Sequence, residues 1–234
     1  MINNKKIYAI IPARGGSKGI PKKNIIDFDG YPLIYHSINF AKESKFVDEV
    51  IVSTDSHEIK KIAESYHTCI VDRPENISRD DSSTELAIKH IIHEFNIHSD
   101  SIIVLLQPTS PIRPIGVLDK MLVDFINKNF DSMVSISPCH PLNWKLKADE
   151  LICQYDYKNR PMRQQFKKDD FIYDENGSVY IFNTELIIKN NNRLGGKIGY
   201  EIFPEEYGRQ IDTFLDLEIL RATAKYLNKK ESNV

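Results

Sequence analysis

Strand-like and helix-like segments alternate along most of this chain, and this alternation constrains the fold more than any other feature. Short apolar runs at residues 7–11 (IYAII), 49–55 (EVIVSTD) and 101–106 (SIIVLL) are typical of central parallel strands that are covered on both faces. Amphipathic segments with helical spacing separate these runs. The sequence therefore predicts an α/β fold in three layers, with a mostly parallel, twisted sheet and helices on both faces.

The same patterns divide the chain into elements. The predicted strands are residues 7–11, 49–55, 69–71, 101–106, 131–137, 176–183 and 198–203, and the predicted helices are residues 32–44, 57–67, 82–96, 115–127 and 215–229. Between residues 138 and 174 neither period is clear, and a structureless loop of that length is unusual inside a compact domain. We expect one domain over residues 1–234, in which residues 138–174 form a small arm that folds against something else.

A glycine-rich, cationic loop follows the first strand. It combines three glycines with four cations: Gly15, Gly16 and Gly19, and Arg14, Lys18, Lys22 and Lys23. Glycine allows positive φ and lets backbone N–H groups approach a ligand closely. The spacing matches neither a P-loop nor the GxGxxG dinucleotide loop. The pattern predicts a site for a phosphate-bearing anion, and the alternative is a solvated surface loop.

Polar loops also follow the other predicted parallel strands. Ligands of open α/β sheets bind beyond the carboxyl ends of the strands. Residues 13–23, Thr54 and Asp55, Arg73, and residues 107–110 should therefore converge on one crevice.

Charge and hydropathy exclude several classes of partner. A net charge of -2 provides no basic surface for a nucleic acid duplex, so we expect a small-molecule nucleotide instead. No apolar run approaches the ~20 residues of a membrane span, and the start MINNKKIYAII is too short for a signal peptide. The three cysteines are odd in number and not spaced as metal ligands, which indicates reduced thiols. We expect a cytoplasmic protein without a membrane or nucleic acid partner.

The segment PARGGSKGIPKKN at residues 12–24 resembles the opening motif of the CMP-sialic acid synthetases (acylneuraminate cytidylyltransferases), in their nonulosonic acid branch. Further blocks resemble that family in the same order: VSTD at 52–55, RPENISRDDSST at 73–84, LLQPTSPIR at 105–113, RQ at 163–164 and ENGSVYIFN at 175–183. The resemblance covers nearly the whole chain. It implies a Mg²⁺-dependent reaction of CTP with a nine-carbon 2-keto sugar acid, which gives the CMP-sugar and pyrophosphate.

The resemblance also implies roles for individual residues. The implied CTP-binding residues are Ala13, Arg14, Gly15, Gly16, Lys18, Lys23, Asn24, Arg73, Ser83 and Thr84. The implied sugar-binding residues are Gln107, Thr109, Ser110, Lys145, Arg163 and Tyr180. Arg14, Lys23 and Asp212 are the expected catalytic residues. The residues alone leave other roles open: Arg73 pairing with Asp72, Gln107 satisfying loop amides, and Tyr180 packing in the core.

The expected metal site departs from the family pattern. Synthetases of this family usually carry two aspartates in a DID segment, whereas this chain has Gln210, Ile211 and Asp212. Magnesium often needs only one or two carboxylates besides phosphate oxygens. We expect Asp212 to be the principal ligand, with the carbonyl oxygen of Gln210 as a second candidate. Asp216 and Glu218 are expected on the final helix, facing away.

Three other functions fit parts of the sequence. One is the related 3-deoxy-manno-octulosonate cytidylyltransferase, and another is a catalytically inactive nucleotide-binding module, which Gln210 suggests. A glycosyltransferase would carry a DxD motif, and the early match at Asp27–Asp29 lies beside Gly30 in a predicted turn. In the family the arm crosses to a second subunit, so the resemblance also implies a homodimer.

Overall fold

The computed structural model describes residues 5–139, 142–167 and 171–231. Its strands are β1 (Ile7–Pro12), β2 (Asp27–Phe28), β3 (Tyr31–Pro32), β4 (Glu49–Thr54), β5 (Cys69–Asp72), β6 (Ile102–Leu106), β7 (Ser132–Cys139), β8 (Trp144–Lys147), β9 (Glu150–Cys153), β10 (Ile172–Asn183) and β11 (Ile198–Ile202). Its helices are α1 (Leu33–Lys42), α2 (His57–Ser65), α3 (Thr84–Glu94), α4 (Val117–Asn127), α5 (Thr184–Asn190) and α6 (Phe214–Glu231).

A seven-stranded sheet forms the centre of the molecule, in the order β11-β7-β10-β6-β1-β4-β5. β10 is antiparallel to both of its neighbours, and the other strand pairs in this sheet are parallel. The predicted mostly parallel sheet is therefore confirmed. The register of β10 against β7 shifts between Glu175 and Tyr180, and Gly177 has a φ of +65° within this bulge.

The two faces of the sheet bury separate apolar clusters, because successive strand residues point to opposite faces. Ile7, Ala9 and Ile11 of β1 pack on one face with residues of α1, α2 and α4. Tyr8 and Ile10 pack on the other face with residues of α3 and α5. Helices thus cover both faces, as the sequence predicts. A third cluster joins α6 to the loop after β1, through Ile20 and Ile211 among others.

The arm contains more regular structure than its sequence predicts. β8 and β9 form a separate antiparallel hairpin, and β10 begins already at Ile172, where it pairs with Cys139 at the end of β7. In the sequence neither period is clear over residues 138–174, yet both of these parts are strands. β8 and β9 pair across a short turn at Ala148 and Asp149, whereas the start of β10 pairs with β7, a partner distant in sequence.

Two smaller features bear on the alternatives. Asp29 and Gly30 join β2 to β3 with φ angles of 52° and 86°, so this DxD segment is a tight hairpin turn, as predicted. Within the described parts of the chain, no helix has the length and apolar character needed to cross a membrane.

Candidate functional site

A polar cavity of about 400 Å³ lies where the loops after β1, β5 and β6 meet. The predicted site residues that line it are Arg14, Lys18, Lys23, Asn24, Arg73, Ser83, Thr84, Gln107, Thr109 and Asp212. Three loops and the segment before α6 therefore bring these residues together. The crevice expected at the carboxyl ends of the strands is therefore present for these loops, but Asp55 lines a separate cavity together with Gly15 and Gly16.

Two glycines of the first loop, Gly15 and Gly19, pack closely against other parts of the chain. Neither these two nor Gly16 adopts the positive φ that glycine allows. A Cβ at Gly19 would lie 2.3 Å from the carbonyl oxygen of Asp212, and one at Gly15 would lie 2.9 Å from the Cβ of Ser56. Gly15 and Gly19 are thus needed because other parts of the chain approach their Cα atoms closely, whereas nothing lies within 4 Å of a Cβ at Gly16.

Lys23 connects the first loop to the segment before α6. Its Nζ donates to the carbonyl oxygen of Ile211 at 2.9 Å and to Oδ1 of Asp212 at 3.1 Å. Only 15% of the Lys23 side chain is exposed, against 70% for Asp212. The ammonium group is therefore held in place at the edge of the cavity, while the Asp212 carboxylate remains open to a ligand.

Arg14 and Lys18 share an acidic partner that the sequence analysis did not select. Oδ1 of Asp80 lies 2.8 Å from Nη2 of Arg14, and Oδ2 lies 2.6 Å from Nζ of Lys18. The Lys18 hydrogen bond and the two cationic charges lower the pKa of Asp80. Asp80 follows Arg79 in an ordinary polar loop, and no local sequence signal identifies it as the partner of residues more than sixty positions earlier.

Arg73 is almost fully buried, with 9% of its surface exposed. Its Nε donates to Oγ of Ser53 at 3.0 Å, and its Nη2 donates to the carbonyl oxygen of Ser53 at 2.7 Å. Burial lowers the pKa of Arg73 to about 10, which Asp55 partly offsets, so the guanidinium stays charged at neutral pH. Asp72 pairs with Lys60 instead, so the alternative of an Arg73–Asp72 surface pair is wrong.

The corner after β6 rests on a second buried arginine, Arg113. Its Nη2 donates to the carbonyl oxygens of Gln107 (2.9 Å) and Ser178 (3.3 Å), and its Nη1 donates to Oγ of Ser37 (3.1 Å). Burial lowers the pKa of Arg113 to about 9. Arg113 therefore fixes the backbone of Gln107. Arg113 is the last residue of the motif LLQPTSPIR, but the motif does not indicate this role.

Gln107 and Thr109, which line the cavity, lie beside Gln210. Oγ1 of Thr109 donates to Oε1 of Gln210 at 3.2 Å. A Cβ on Gly177 would lie 2.3 Å from Nε2 of Gln210 and 2.6 Å from Oε1 of Gln107. Two carboxamides therefore lie together over the bulge in β10.

Several predicted site residues lie elsewhere. Ala13 and Tyr180 are buried in the two core clusters, and the Tyr180 hydroxyl donates to Oε1 of Glu175 at 2.6 Å. Ser110 is buried and donates to the carbonyl oxygen of Asn176. Gly15 and Gly16 line a separate cavity of about 350 Å³. Lys145 is exposed on β8, and the side chain of Arg163 lies outside the described part of the structure.

Asp216 does not face away, which corrects the expectation from the sequence. Its Oδ2 accepts hydrogen bonds from the backbone N–H groups of Asp212 (3.3 Å) and Thr213 (2.9 Å) and from Oγ1 of Thr213 (2.7 Å). These hydrogen bonds lower the pKa of Asp216. Asp216 therefore closes the turn that presents Asp212. Glu218 is exposed and pairs with Arg221.

A larger cavity of about 650 Å³ adjoins this segment. Ser137, Glu205, Gly208 and Arg209 are among the residues that line it. Residues 208–212 thus border both cavities, because Gly208 and Arg209 line the larger one and Asp212 lines the one described above.

Comparisons with known proteins agree with this geometry. The family model described as "Cytidylyltransferase" matches residues 8–229. The chain is similar to N-acylneuraminate cytidylyltransferase A of Danio rerio, with 34% identity over 91% of this chain and 49% of the relative. It is also similar to CMP-N,N'-diacetyllegionaminic acid synthase of Legionella pneumophila subsp. pneumophila, with 33% identity over 80% of this chain and 82% of the relative.

This chain spans about half the length of the curated relatives from Danio rerio, Oncorhynchus mykiss and Escherichia coli that it matches. Among solved structures, CMP:2-keto-3-deoxy-manno-octonic acid synthetase complexed with CTP shares the fold. Its TM-score is 0.70 at 18% identity, over 95% of this chain and 99% of that one.

Proposed function

The chain belongs to the cytidylyltransferase family, and we propose that it transfers CMP from CTP to a nonulosonic acid of the sialic, legionaminic or pseudaminic type. The observation that carries this proposal is the meeting of Arg14, Lys18 and Lys23 with Gln107 and Thr109 around one cavity. The cations suit a triphosphate, and the polar corner suits a hydroxyl-rich acceptor. Both substrates of such a reaction therefore have complementary groups at the same site.

The reaction needs charge neutralisation more than covalent chemistry. The anomeric hydroxyl oxygen of the acid forms a bond to the α-phosphorus of CTP, the bond from that phosphorus to the bridging oxygen breaks, and the hydroxyl proton passes to solvent. Negative charge grows on the departing pyrophosphate, where fixed cations lower the barrier most. Lys23 is suited to this role because its ammonium group is already held by Ile211 and Asp212.

Arg14 and Lys18 bind the same polyphosphate in this proposal. Their present partner is the Asp80 carboxylate, which lies where an anion is attracted. Phosphate oxygens carry more charge than one carboxylate, so CTP replaces Asp80 on at least one of the two cations. Arg73, Ser83 and Thr84 also line the cavity, and we assign them to the nucleoside.

We propose Mg²⁺ as the cofactor, held by Asp212. Among the described residues there is no group of three or more His, Cys, Asp or Glu side chains that would bind a metal without a ligand. The residues present still fit Mg²⁺, because Asp212 and Asp80 both line the cavity and Mg²⁺ completes its shell with phosphate oxygens and water. When bound, Mg²⁺ supplies positive charge to the phosphates.

The proposal extends to assembly and compartment. The β8–β9 hairpin exposes Leu146 and Leu151, which are 68% and 60% exposed, and none of the described residues 142–167 belongs to an apolar core cluster. We propose that this arm packs on a second copy of the chain in a homodimer.

We place the reaction in the cytoplasm, which the three free cysteines support because reduced thiols persist there.

Pyrophosphate release tests the function directly. The protein is incubated with CTP, Mg²⁺ and, in separate reactions, sialic, legionaminic, pseudaminic and 3-deoxy-manno-octulosonic acids. We expect pyrophosphate and an equal amount of CMP-sugar with at least one nine-carbon acid. Release with the octulosonic acid alone would favour the related synthetase, and no release with any acid would favour an inactive nucleotide-binding module.

A further inference from the structure

Gln210 lies on a segment whose backbone is fixed on both sides. The N–H of Ile211 donates to the carbonyl oxygen of Thr109 at 2.8 Å, and the carbonyl oxygen of Ile211 accepts from Lys23 at 2.9 Å. Ile211 itself is fully buried. The positions of Gln210 and Asp212, which flank this anchor, are therefore set by the fold.

The Gln210 side chain is directed to the polar corner after β6. Its Oε1 accepts the Thr109 hydroxyl, and its Nε2 lies over Gly177 beside Oε1 of Gln107. Gly177 is the residue that leaves room for both carboxamides, because any Cβ there would collide with each of them. With its oxygen engaged by Thr109, the group that Gln210 presents is an N–H donor.

An N–H group can donate a hydrogen bond to an oxygen of a ligand, but it cannot coordinate a metal ion. Mg²⁺ binds oxygen ligands, preferably charged ones, and is repelled by the positive end of an N–H bond. The hydroxyl and carboxylate oxygens of a sugar acid accept hydrogen bonds from amides. The neutral amide next to Gln107 is therefore suited to the sugar and unsuited to the cation.

We propose that Gln210 is an acceptor-binding residue, which donates its Nε2 hydrogens to an oxygen of the sugar acid and does not ligate the metal. This inference rests on the proposed function. It divides the segment before α6 into two roles: Asp212 faces the nucleotide, and Gln210 faces the acid. A site built to hydrogen-bond a substrate oxygen also rejects analogues that lack it, so Gln210 is a determinant of acid specificity.

Steady-state kinetics of Gln210→Ala and Gln210→Glu test the assignment. With the acid that the wild-type protein uses, we expect Gln210→Ala to raise the KM for the acid on the order of tenfold, as for a lost hydrogen bond. Gln210→Glu keeps the side-chain length and an oxygen that can accept the Thr109 hydroxyl, but it replaces the Nε2 donor by a negatively charged oxygen. It should therefore raise the KM for the acid further. The KM for CTP and the Mg²⁺ concentration at half-maximal rate should change less than about twofold.

Two further measurements separate this role from others. Titration of the acid onto each variant in metal-free buffer should show the same loss of affinity, because the contact does not involve the metal. Asn228→Ala, which alters an exposed amide on α6, is the control and should match the wild type. An unchanged KM for the acid, or a lower Mg²⁺ requirement of Gln210→Glu, would overturn the inference. The proposed function would still stand in that case, provided that the wild-type protein turns over its substrates. An inactive wild type would overturn both.

Discussion

The Lys23 ammonium group contacts residues 188 and 189 positions further along the chain, and these contacts set the distance between the cationic loop after β1 and Asp212. A lysine on a mobile surface would lose side-chain entropy when it binds a phosphate. Lys23 has already lost that freedom in the free protein. We therefore propose that Lys23 acts in the transition state, where charge develops on the leaving pyrophosphate.

Lys23→Met tests this assignment at the residue scale. We expect kcat to fall on the order of 10²–10³-fold, which corresponds to about 3–4 kcal/mol of barrier, by analogy with the loss of one donor to a developing oxyanion. The KM for the sugar acid should change little. Lys225→Met, on the exposed face of α6, is the matched control and should have the wild-type rate. An unchanged kcat for Lys23→Met would show that Lys23 is a structural lysine only.

Gly19→Ala and Gly16→Ala form a second matched pair. At Gly19 a methyl group would meet the Asp212 carbonyl at 2.3 Å, whereas nothing lies within 4 Å of one at Gly16. We expect Gly19→Ala to lower the free energy of unfolding by about 1–3 kcal/mol, the usual cost of overpacking. Urea denaturation of the two variants measures this difference. Equal stability would mean that the loop relaxes freely around residue 19.

The sequence predicted which residues form the site, but it did not predict which distant residues they contact. The cations of the first loop and the corner at Gln107 follow from composition and strand ends. Asp80 and Arg113 were not found, because their roles come from contacts across the fold with Arg14 and Gln107. Tyr180 illustrates the converse: the resemblance implied a sugar-binding role, whereas the alternative left open by the residues alone, packing in the core, is the one that the structure shows.

At the scale of elements, the first turn of α6 fixes the position of Asp212, the proposed metal ligand. Thr213 and Asp216 form a reciprocal cap: the Asp216 N–H donates to Oγ1 of Thr213, and the Thr213 N–H donates to the Asp216 carboxylate. Such a cap stabilises the first turn and fixes the chain before it. The turn before α6, which carries Asp212, is therefore rigid at its carboxyl end.

Asp216→Ala should destabilise the protein by roughly 1 kcal/mol, the usual contribution of a helix cap. The pKa of Asp216 is lowered from 3.8 in the folded protein, so its contribution is complete above pH 3.8 and is lost as the pH falls through the lower, folded value. Thermal melts of wild type and variant across this range should therefore converge at low pH. A difference in Tm that persists unchanged at acidic pH would contradict the role of the carboxylate.

Regular elements with strong periodicity were predictable, and pairing between distant strands was not. The sheet strands with apolar runs and the helices α1 to α4 follow directly from local patterns. α5, with seven residues, is too short to give a clear period. The first part of β10 is exposed and polar, and it is a strand only because β7 offers it a partner.

At the scale of the whole molecule, the proposed homodimer rests on the described part of the arm. Leu146 and Leu151 oppose each other across the hairpin and are both largely exposed. An exposed apolar pair on a projecting hairpin is typical of a protein interface.

Light scattering measures the assembly directly. We expect a mass near twice 27.0 kDa at micromolar concentration, and the double variant Leu146→Glu, Leu151→Glu should give the monomer mass with an intact thermal transition. Because the hairpin is separate from the central sheet, the core should remain folded in the variant. A monomeric wild-type protein would contradict the proposed homodimer.

We propose that the cationic loop after β1 holds a triphosphate at the same cavity as the acceptor corner. A crystal structure of the protein with CTP and Mg²⁺ decides whether it does. We expect phosphate density in contact with Arg14, Lys18 and Lys23, with the Asp80 carboxylate displaced from at least one of these cations. A nucleotide bound elsewhere, with the Asp80 ion pairs intact, would contradict it.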